Sequence, residues 1–161
     1  AVTSRLALMV ANDPVATLQE ASRVLAPGGP IATVIWAMVA QNPWFDEPRE
    51  AIAATLGAPR ATFARAFGRY GVPGEIAELH RAAGLRDVEA RLVEAPVRVA
   101  DAATQWATLA RENGHFRRVD ASLGDEERGA LARELEQRLE RYRDGADLVL
   151  ARTIVLVTAR R

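Results

Sequence analysis

Side chains able to do acid–base, nucleophilic or metal chemistry are few in this sequence, and none stands in a recognised catalytic spacing. The chain has no Cys, which excludes a thiol nucleophile, a thiolate metal site and disulfides. Its two His, His80 and His115, have no motif partner, and the sequence contains no HExxH, no GxSxG and no phosphate-binding loop. Polar neighbours around His80 predict a solvated side chain. The sequence offers no defensible catalytic base and predicts no metal site.

Aromatic side chains that follow one predicted strand are the residues best suited to contact an apolar ligand. They are Trp36, Trp44, Phe45 and Phe67. Aromatic rings line many small-molecule pockets. Rings at helical spacing also fill ordinary protein cores, so both interpretations stay open for each of the four residues.

A helix, a tight turn and a strand are predicted between Asp13 and Trp36. Asp13 can cap the helix by accepting a bond from a free amide, and Pro14 suits the first helical position. Pro27 ends the helix, and the two glycines after it supply the backbone angles of a C-cap turn. The apolar run over residues 31–38 is typical of a strand buried on both faces, as in a parallel sheet covered by helices.

The rest of the chain supplies further helices and two strands. Residues 3–11 are predicted to form a short turn or helix at the sheet edge, and a helix is predicted over about residues 48–56. Alternating apolar and charged residues after Gly84 predict an outer strand. Helices are predicted after Asp101 and Asp125, with residues 115–118 in a loop between them. The chain ends in a strand centred on residues 154–157.

The composition is that of an ordinary globular domain. The chain has 161 residues, 49% hydrophobic and 26% charged, which predicts a single domain. Its formal net charge is zero, so no electrostatic attraction favours nucleic acid or an anionic membrane. The lack of Cys and of any long apolar run predicts a cytoplasmic protein with no membrane span. A start at Ala1 predicts a processed or partial chain.

The helix ending in EASRVLAPGG, which runs into an apolar strand closing on Trp36, resembles the class I S-adenosylmethionine-dependent methyltransferases. The small-molecule branch, with the quinone-biosynthesis enzymes, is the nearest, and AELHRAAGLRDVEARLVEAPV resembles a later part of the same fold. Pro30 stands where family members often have Arg. The resemblance implies an α/β fold, the C-terminal part of a Rossmann-like sheet with helix, strand, lid helices and an antiparallel strand pair. Residues 31–38 would be the fifth strand, and the last strand would be the antiparallel seventh, between the fifth and sixth.

The resemblance also implies a site. S-adenosylmethionine would be the cofactor, with its methionine end near Ser4, Arg5 and Met9; from the residues alone these would be a surface Ser and Arg and a packed Met. A helical lid-like insertion around 41–72 and 101–143 would cover the acceptor. The implied pocket residues are Trp36, Trp44, Phe45 and Phe67.

The cofactor signature of that family is absent from this sequence. The signature is a glycine-rich turn after the first strand, with an acidic residue closing the second to hold the ribose hydroxyls. The adjacent glycines here, Gly28 and Gly29, follow a helix and make a turn. We therefore expect the N-terminal cofactor-binding strands to be missing and cofactor binding by this chain alone to be poor. The fifth strand would expose an open apolar edge, which a homodimer or an N-terminal half would cover.

Three functions are compatible with these observations. The first is part of a methyltransferase that transfers a methyl group to a small-molecule acceptor. The second is a non-enzymatic α/β module that dimerises through its open sheet edge. The third is a module that binds a small apolar ligand with the Trp and Phe residues after the fifth strand.

Overall fold

The structure is a computed structural model that describes residues 1–57 and 67–161. The described residues fall into two compact units. Unit 1 contains residues 1–41, 67–94 and 153–161, and unit 2 contains residues 42–57 and 95–152. Unit 2 therefore overlaps much of the two segments predicted as a helical insertion.

The elements follow one another along the chain with three short 3-10 turns among them, at Leu8–Val10, Val39–Gln41 and Glu140–Tyr142. In chain order they are β1 (Val2–Arg5), α1 (Pro14–Arg23), β2 (Pro30–Trp36), α2 (Pro43–Leu56), α3 (Pro73–Ala82), β3 (Arg86–Glu94), β4 (Val97–Val99), α4 (Ala102–Glu112), α5 (Gly114–Ala121), α6 (Asp125–Leu139), β5 (Arg143–Asp144), β6 (Asp147–Leu150) and β7 (Thr153–Arg160).

Unit 1 is built on a sheet with the strand order β1-β2-β7-β3. β1 runs parallel to β2, and β7 runs antiparallel to both β2 and β3. The predicted position of the last strand, antiparallel and between two others, is confirmed. The order β2-β7-β3 is the one that the resemblance implies for the fifth, seventh and sixth strands.

β1 corrects two expectations. Residues 3–11 were expected to form a short turn or helix; Leu8–Val10 form a 3-10 turn, but residues 2–5 form a strand whose Ser4 pairs with Thr33 of β2. β2 therefore has a neighbour on each side, and the expected open apolar edge of the fifth strand is wrong. A segment of four residues is too short to show strand periodicity, and its strand conformation depends on hydrogen bonding to β2.

β2 is fully buried on one face only. Ile31, Thr33 and Ile35 are buried, whereas the residues between them are half-buried. The buried face packs against Leu18 of α1 and Ile76 of α3. The continuous apolar run predicted burial of β2 on both faces. In the structure one face is fully buried and the other is half-buried.

The predicted signals around α1 and β3 are present in the structure. The Asp13 carboxylate accepts a hydrogen bond from the Ala16 amide at 2.9 Å, and Gly28 has φ +73° in the turn after α1. β3 lies at the end of the sheet order, as predicted for an outer strand, and Asp87 at φ +50° marks an irregularity in its pairing with β7. Such irregularities and charged side chains discourage further strand pairing at an edge.

Unit 2 consists of α2, α4, α5 and α6 with a small antiparallel sheet of order β4-β6-β5. Its buried core includes Phe45, Phe116, Leu131, Leu135 and Leu139. Two predicted boundaries were wrong. α2 begins before residue 48, at a Pro in the favoured first position, and residues 115–118 lie in α5.

The start of α5 shows why the loop prediction failed. The Asn113 side chain accepts a hydrogen bond from the His115 amide at 2.9 Å and caps the helix. One Asn can thus end one helix and begin the next, and an Asn-Gly pair alone predicts a break. Within residues 1–57 and 67–161, no helix has the length and apolar character needed to cross a membrane.

Candidate functional site

The carboxyl ends of β1 and β2 lie at the same edge of the sheet because the two strands are parallel. In open α/β sheets, ligands bind in the crevice outside the carboxyl ends of the strands. The residues at this edge, here called the carboxyl-edge site, are Arg5, Leu6, Trp36, Ala37, Met38 and Phe67–Gly71.

Backbone strain is concentrated at the carboxyl-edge site. Leu6 has φ +58° immediately after β1, and its amide donates to the Val34 carbonyl at 2.7 Å. Tyr70 has φ +62°. A positive φ at a non-glycine residue costs on the order of 1–3 kcal/mol of conformational free energy. Such a residue persists where its surroundings enforce the conformation, often at functional sites. The strained residues therefore support a functional role for this edge.

The turn from Phe67 to Gly71 lies directly on the end of β2. A Cβ atom on Gly71 would lie 2.7 Å from the Met38 amide nitrogen and 2.8 Å from the Ala37 carbonyl carbon. Gly68 has φ +75°, a backbone angle that residues with a side chain rarely adopt. These two glycines allow the close approach, and Phe67 stacks on Trp36 with ring centroids 5.6 Å apart and an interplanar angle of 15°.

Two guanidinium groups give the carboxyl-edge site a positive character. Arg5 is exposed at the end of β1. Arg69 Nη1 donates to the Ala11 carbonyl at 3.2 Å, and its Cζ lies 4.7 Å from the centroid of the Tyr70 ring. Arginine side chains held in this way can bind carboxylate or phosphate groups.

The predicted cofactor residues lie in or next to β1. Ser4 is half-buried beside Thr33, and Arg5 is exposed. Met9 lies in a 3-10 turn and packs against the core cluster of unit 1. Their contact with a cofactor stays a prediction.

The predicted acceptor-pocket residues fall into two pairs, one in each unit. Trp36 and Phe67 stack on one another in unit 1, as described above. Trp44 and Phe45 lie in the first turn of α2 in unit 2, where Phe45 is 1% exposed and packs edge-on against Phe116 at 5.2 Å. Trp44 donates from Nε1 to the Asn42 side chain at 3.1 Å. Pocket roles for all four residues stay predictions, and the observed packing of Phe45 is that of a core residue.

The described residues do not make a complete S-adenosylmethionine site. A site for this cofactor needs amides at a tight turn after a strand and a carboxylate for the ribose hydroxyls. Neither β1 nor β2 is followed by a glycine turn or by an acidic residue. In the described ranges, no three His, Asp or Glu side chains cluster as metal ligands.

His80 corrects the expectation of a solvated side chain. It is fully buried, with Nδ1 2.8 Å from the Ile76 carbonyl and Nε2 3.0 Å from the Thr33 hydroxyl. Because a carbonyl only accepts, Nδ1 carries the proton and neutral Nε2 accepts from Thr33. Burial lowers the pKa of His80 and favours this neutral form. The hydrogen bond between Thr33 and His80 therefore joins β2 to α3.

Replacing Thr33 by Val is expected to lower the free energy of unfolding by about 1–3 kcal/mol, because it leaves His80 Nε2 buried without its donor. Thr158 on β7 is exposed and provides the matched control. Urea unfolding of T33V and T158V measures both effects. An equal, small change in the two variants would contradict the proposed Thr33–His80 bond.

Comparison with solved structures establishes the fold. A protein from Bacillus halodurans C-125 described as a candidate methyltransferase aligns with 99% of this chain at a TM-score of 0.50 and 16% identity. The YcgJ protein from Bacillus subtilis also aligns with 99% of the chain, at a TM-score of 0.50 and 12% identity. The chain has the class I methyltransferase-like fold. It corresponds to the C-terminal part of that fold and spans 63% of the length of each of these two neighbours.

A third neighbour is phosphoethanolamine N-methyltransferase 2 from Haemonchus contortus, in complex with phosphomonomethylethanolamine and S-adenosylhomocysteine. It aligns with 99% of this chain and 32% of its own length, at 12% identity and a TM-score of 0.42, which is too low to support an inference. No protein-family profile and no curated protein matches the sequence.

Proposed function

We propose that this chain is the acceptor-side part of an S-adenosylmethionine-dependent methyltransferase that acts on a small molecule. The observation that supports this most is the sheet order β1-β2-β7-β3, with an antiparallel strand between two others and a strained carboxyl edge at the parallel pair. The methyltransferase-like fold of the chain agrees with it.

The carboxyl-edge site would contribute shape and charge rather than a reacting side chain. Methyl transfer depends mainly on the alignment of the acceptor with the sulfonium and on exclusion of water. The stacked pair of Trp36 and Phe67 would provide a flat apolar wall for the acceptor. Ser4, Arg5 and Met9 would lie towards the methionine end of the cofactor.

We expect the 161-residue chain alone to bind the cofactor poorly, because the described residues supply one wall of the site. Calorimetric titration with S-adenosylhomocysteine should give no heat up to millimolar ligand. The matched comparison is the chain extended at its N-terminus by the residues that its gene encodes upstream of Ala1. If these encode a strand and a glycine-rich turn, the extended protein should bind at micromolar concentration.

Micromolar binding by the 161-residue chain would contradict the expectation of an incomplete site, although it would agree with methyl transfer. A start codon at this point together with no binding would contradict the methyltransferase proposal. It would favour an α/β interaction module or an apolar-ligand binder.

The outer edge of β1 is where an N-terminal half or a second copy of the chain would pair. β1 ends the sheet order and is only four residues long, with Thr, Ser and Arg among them. Short polar strands are weak templates for association. A homodimer through this edge is therefore disfavoured, and we propose that an N-terminal half would continue the sheet here. A cytoplasmic location remains a proposal from the Cys-free composition.

A further inference from the structure

A groove of about 210 Å³ lies between α4 and α6, entirely within unit 2. Here it is called the α4–α6 groove. Its lining includes Ala102, Trp106, Leu131, Ala132, Leu135 and Glu136. None of them belongs to the carboxyl-edge site, so the groove is a separate feature of the molecule.

The sequence of α6 places one apolar stripe with a charged end along this groove. Leu131, Leu135 and the small Ala132 lie on the face of the helix that also carries Glu136. Leu131 and Leu135 are each 2% exposed and form the floor, while Ala132 is exposed at the wall. Ala102 on α4 is also small. Two methyl side chains at these positions leave the space open.

Trp106 supplies an aromatic wall with a fixed orientation. Its Nε1 donates to Asp120 at 2.8 Å, and its ring packs edge-on against Phe116 with centroids 5.8 Å apart. The hydrogen bond to Trp106 and the ion pair with Arg128 hold the pKa of Asp120 below its ordinary value. The indole is therefore held in place by partners outside the groove.

The charges around the groove favour a cationic ligand. Arg128, also on the lining, donates to the Asp120 carboxylate at 2.6 Å and to the Asp120 carbonyl at 2.9 Å, so its charge is already matched. Glu136 is exposed, and among the described residues its side-chain carboxylate makes no ion pair and no hydrogen bond, whereas its backbone carbonyl accepts from the Glu140 amide. A carboxylate beside an indole ring suits an ammonium group, which such rings attract.

The neighbouring depression strengthens this negative character. It shares Ala102 and Glu136 with the groove and adds Asp101, Glu140 and Arg143. Arg143 is bound by both carboxylate oxygens of Glu140, at 2.8 and 2.9 Å. Hydrogen bonds from Thr104 lower the pKa of Asp101, which keeps this carboxyl ionised. Arg143 also attracts Asp101, so three carboxylates, those of Asp101, Glu136 and Glu140, line this depression with one guanidinium and leave it negatively charged.

We propose that the α4–α6 groove binds a small organic amine, with its apolar body on the Leu and Ala floor and its ammonium between Trp106 and Glu136. Apolar contact supplies part of the affinity, and the charge-assisted bond to the carboxylate selects the amine over neutral and anionic molecules of the same shape. The proposal does not depend on methyl transfer.

The test uses 2-phenylethylamine as the probe, with 2-phenylethanol and 3-phenylpropionate as neutral and anionic comparisons. Binding is followed through the Trp106 indole N–H resonance in ¹H–¹⁵N NMR spectra. We expect the amine to shift this resonance saturably and to bind about ten-fold more tightly than the alcohol. The propionate should bind no more tightly than the alcohol.

Two variants and one matched control locate the site. E136Q should reduce amine affinity to that of the alcohol, whereas E126Q, at an exposed Glu on the same helix outside the groove, should leave it unchanged. A132L places a larger side chain in the groove from an exposed position and should abolish binding of the amine without loss of helical circular dichroism. Equal binding of amine and alcohol, an unchanged affinity in E136Q, or no Trp106 shift at millimolar amine would each overturn the proposal.

Discussion

Replacement of Gly71 by Ala is expected to lower the free energy of unfolding by about 3 kcal/mol. The new Cβ would lie 2.7 Å from the Met38 nitrogen, 2.8 Å from the Ala37 carbonyl carbon and 2.8 Å from the Gly68 oxygen. All three neighbours are backbone atoms, so no side-chain rotation can relieve the overlap. The turn must move away from the end of β2, and the Trp36–Phe67 stack that this turn positions should weaken with it. Urea unfolding followed by circular dichroism measures the loss.

Gly74 provides the matched control for this substitution. It lies in the first turn of α3, and a Cβ there would have no atom within 4 Å. Ala is a better helix former than Gly, so G74A should be neutral or should stabilise the protein by up to about 1 kcal/mol. Equal unfolding midpoints for G71A and G74A would contradict the close contact between this turn and β2.

Elements with strong local signals could be predicted from the sequence. The Asp13 cap and the positive φ of Gly28 around α1 are both observed, because capping and turn angles depend on a few adjacent residues. The antiparallel position of β7 was also predicted, but only through the resemblance to the methyltransferases. Periodicity alone identifies a strand and does not identify its neighbours in a sheet.

Features that depend on distant partners could not be predicted. β1 is a strand because it pairs with β2, and its four residues have no apolar alternation. His80 has polar neighbours in sequence, yet its Nε2 partner Thr33 is 47 positions away. Burial of a polar side chain becomes visible only when the two elements that satisfy it are packed together.

The candidate site shows the same limit. Trp36, Trp44, Phe45 and Phe67 were grouped because they follow one strand, but the chain passes from unit 1 into unit 2 after residue 41. The residues that shape the carboxyl edge, Leu6 and Gly71, were not singled out. The spacing of Gly68 and Gly71 indicates a tight turn without indicating what lies against it.

Phe45 allows a direct test of the core and pocket interpretations. It is 1% exposed and packs at 5.2 Å against Phe116, which is itself fully buried. F45A should lower the free energy of unfolding by about 3–5 kcal/mol, because it removes most of a buried ring and leaves a cavity. F45L should cost less, about 1–2 kcal/mol, because Leu refills part of that volume.

Phe67 is the matched residue for this comparison, since the sequence predicted the same pocket role for both rings. Phe67 is half-buried at the carboxyl edge, where it stacks on Trp36. Truncation of a half-buried ring removes less apolar contact, so F67A should cost about 1–2 kcal/mol. Thermal and urea unfolding of F45A and F67A should therefore rank Phe45 well above Phe67. A reversed order would contradict the core interpretation of Phe45 and would favour its predicted pocket role.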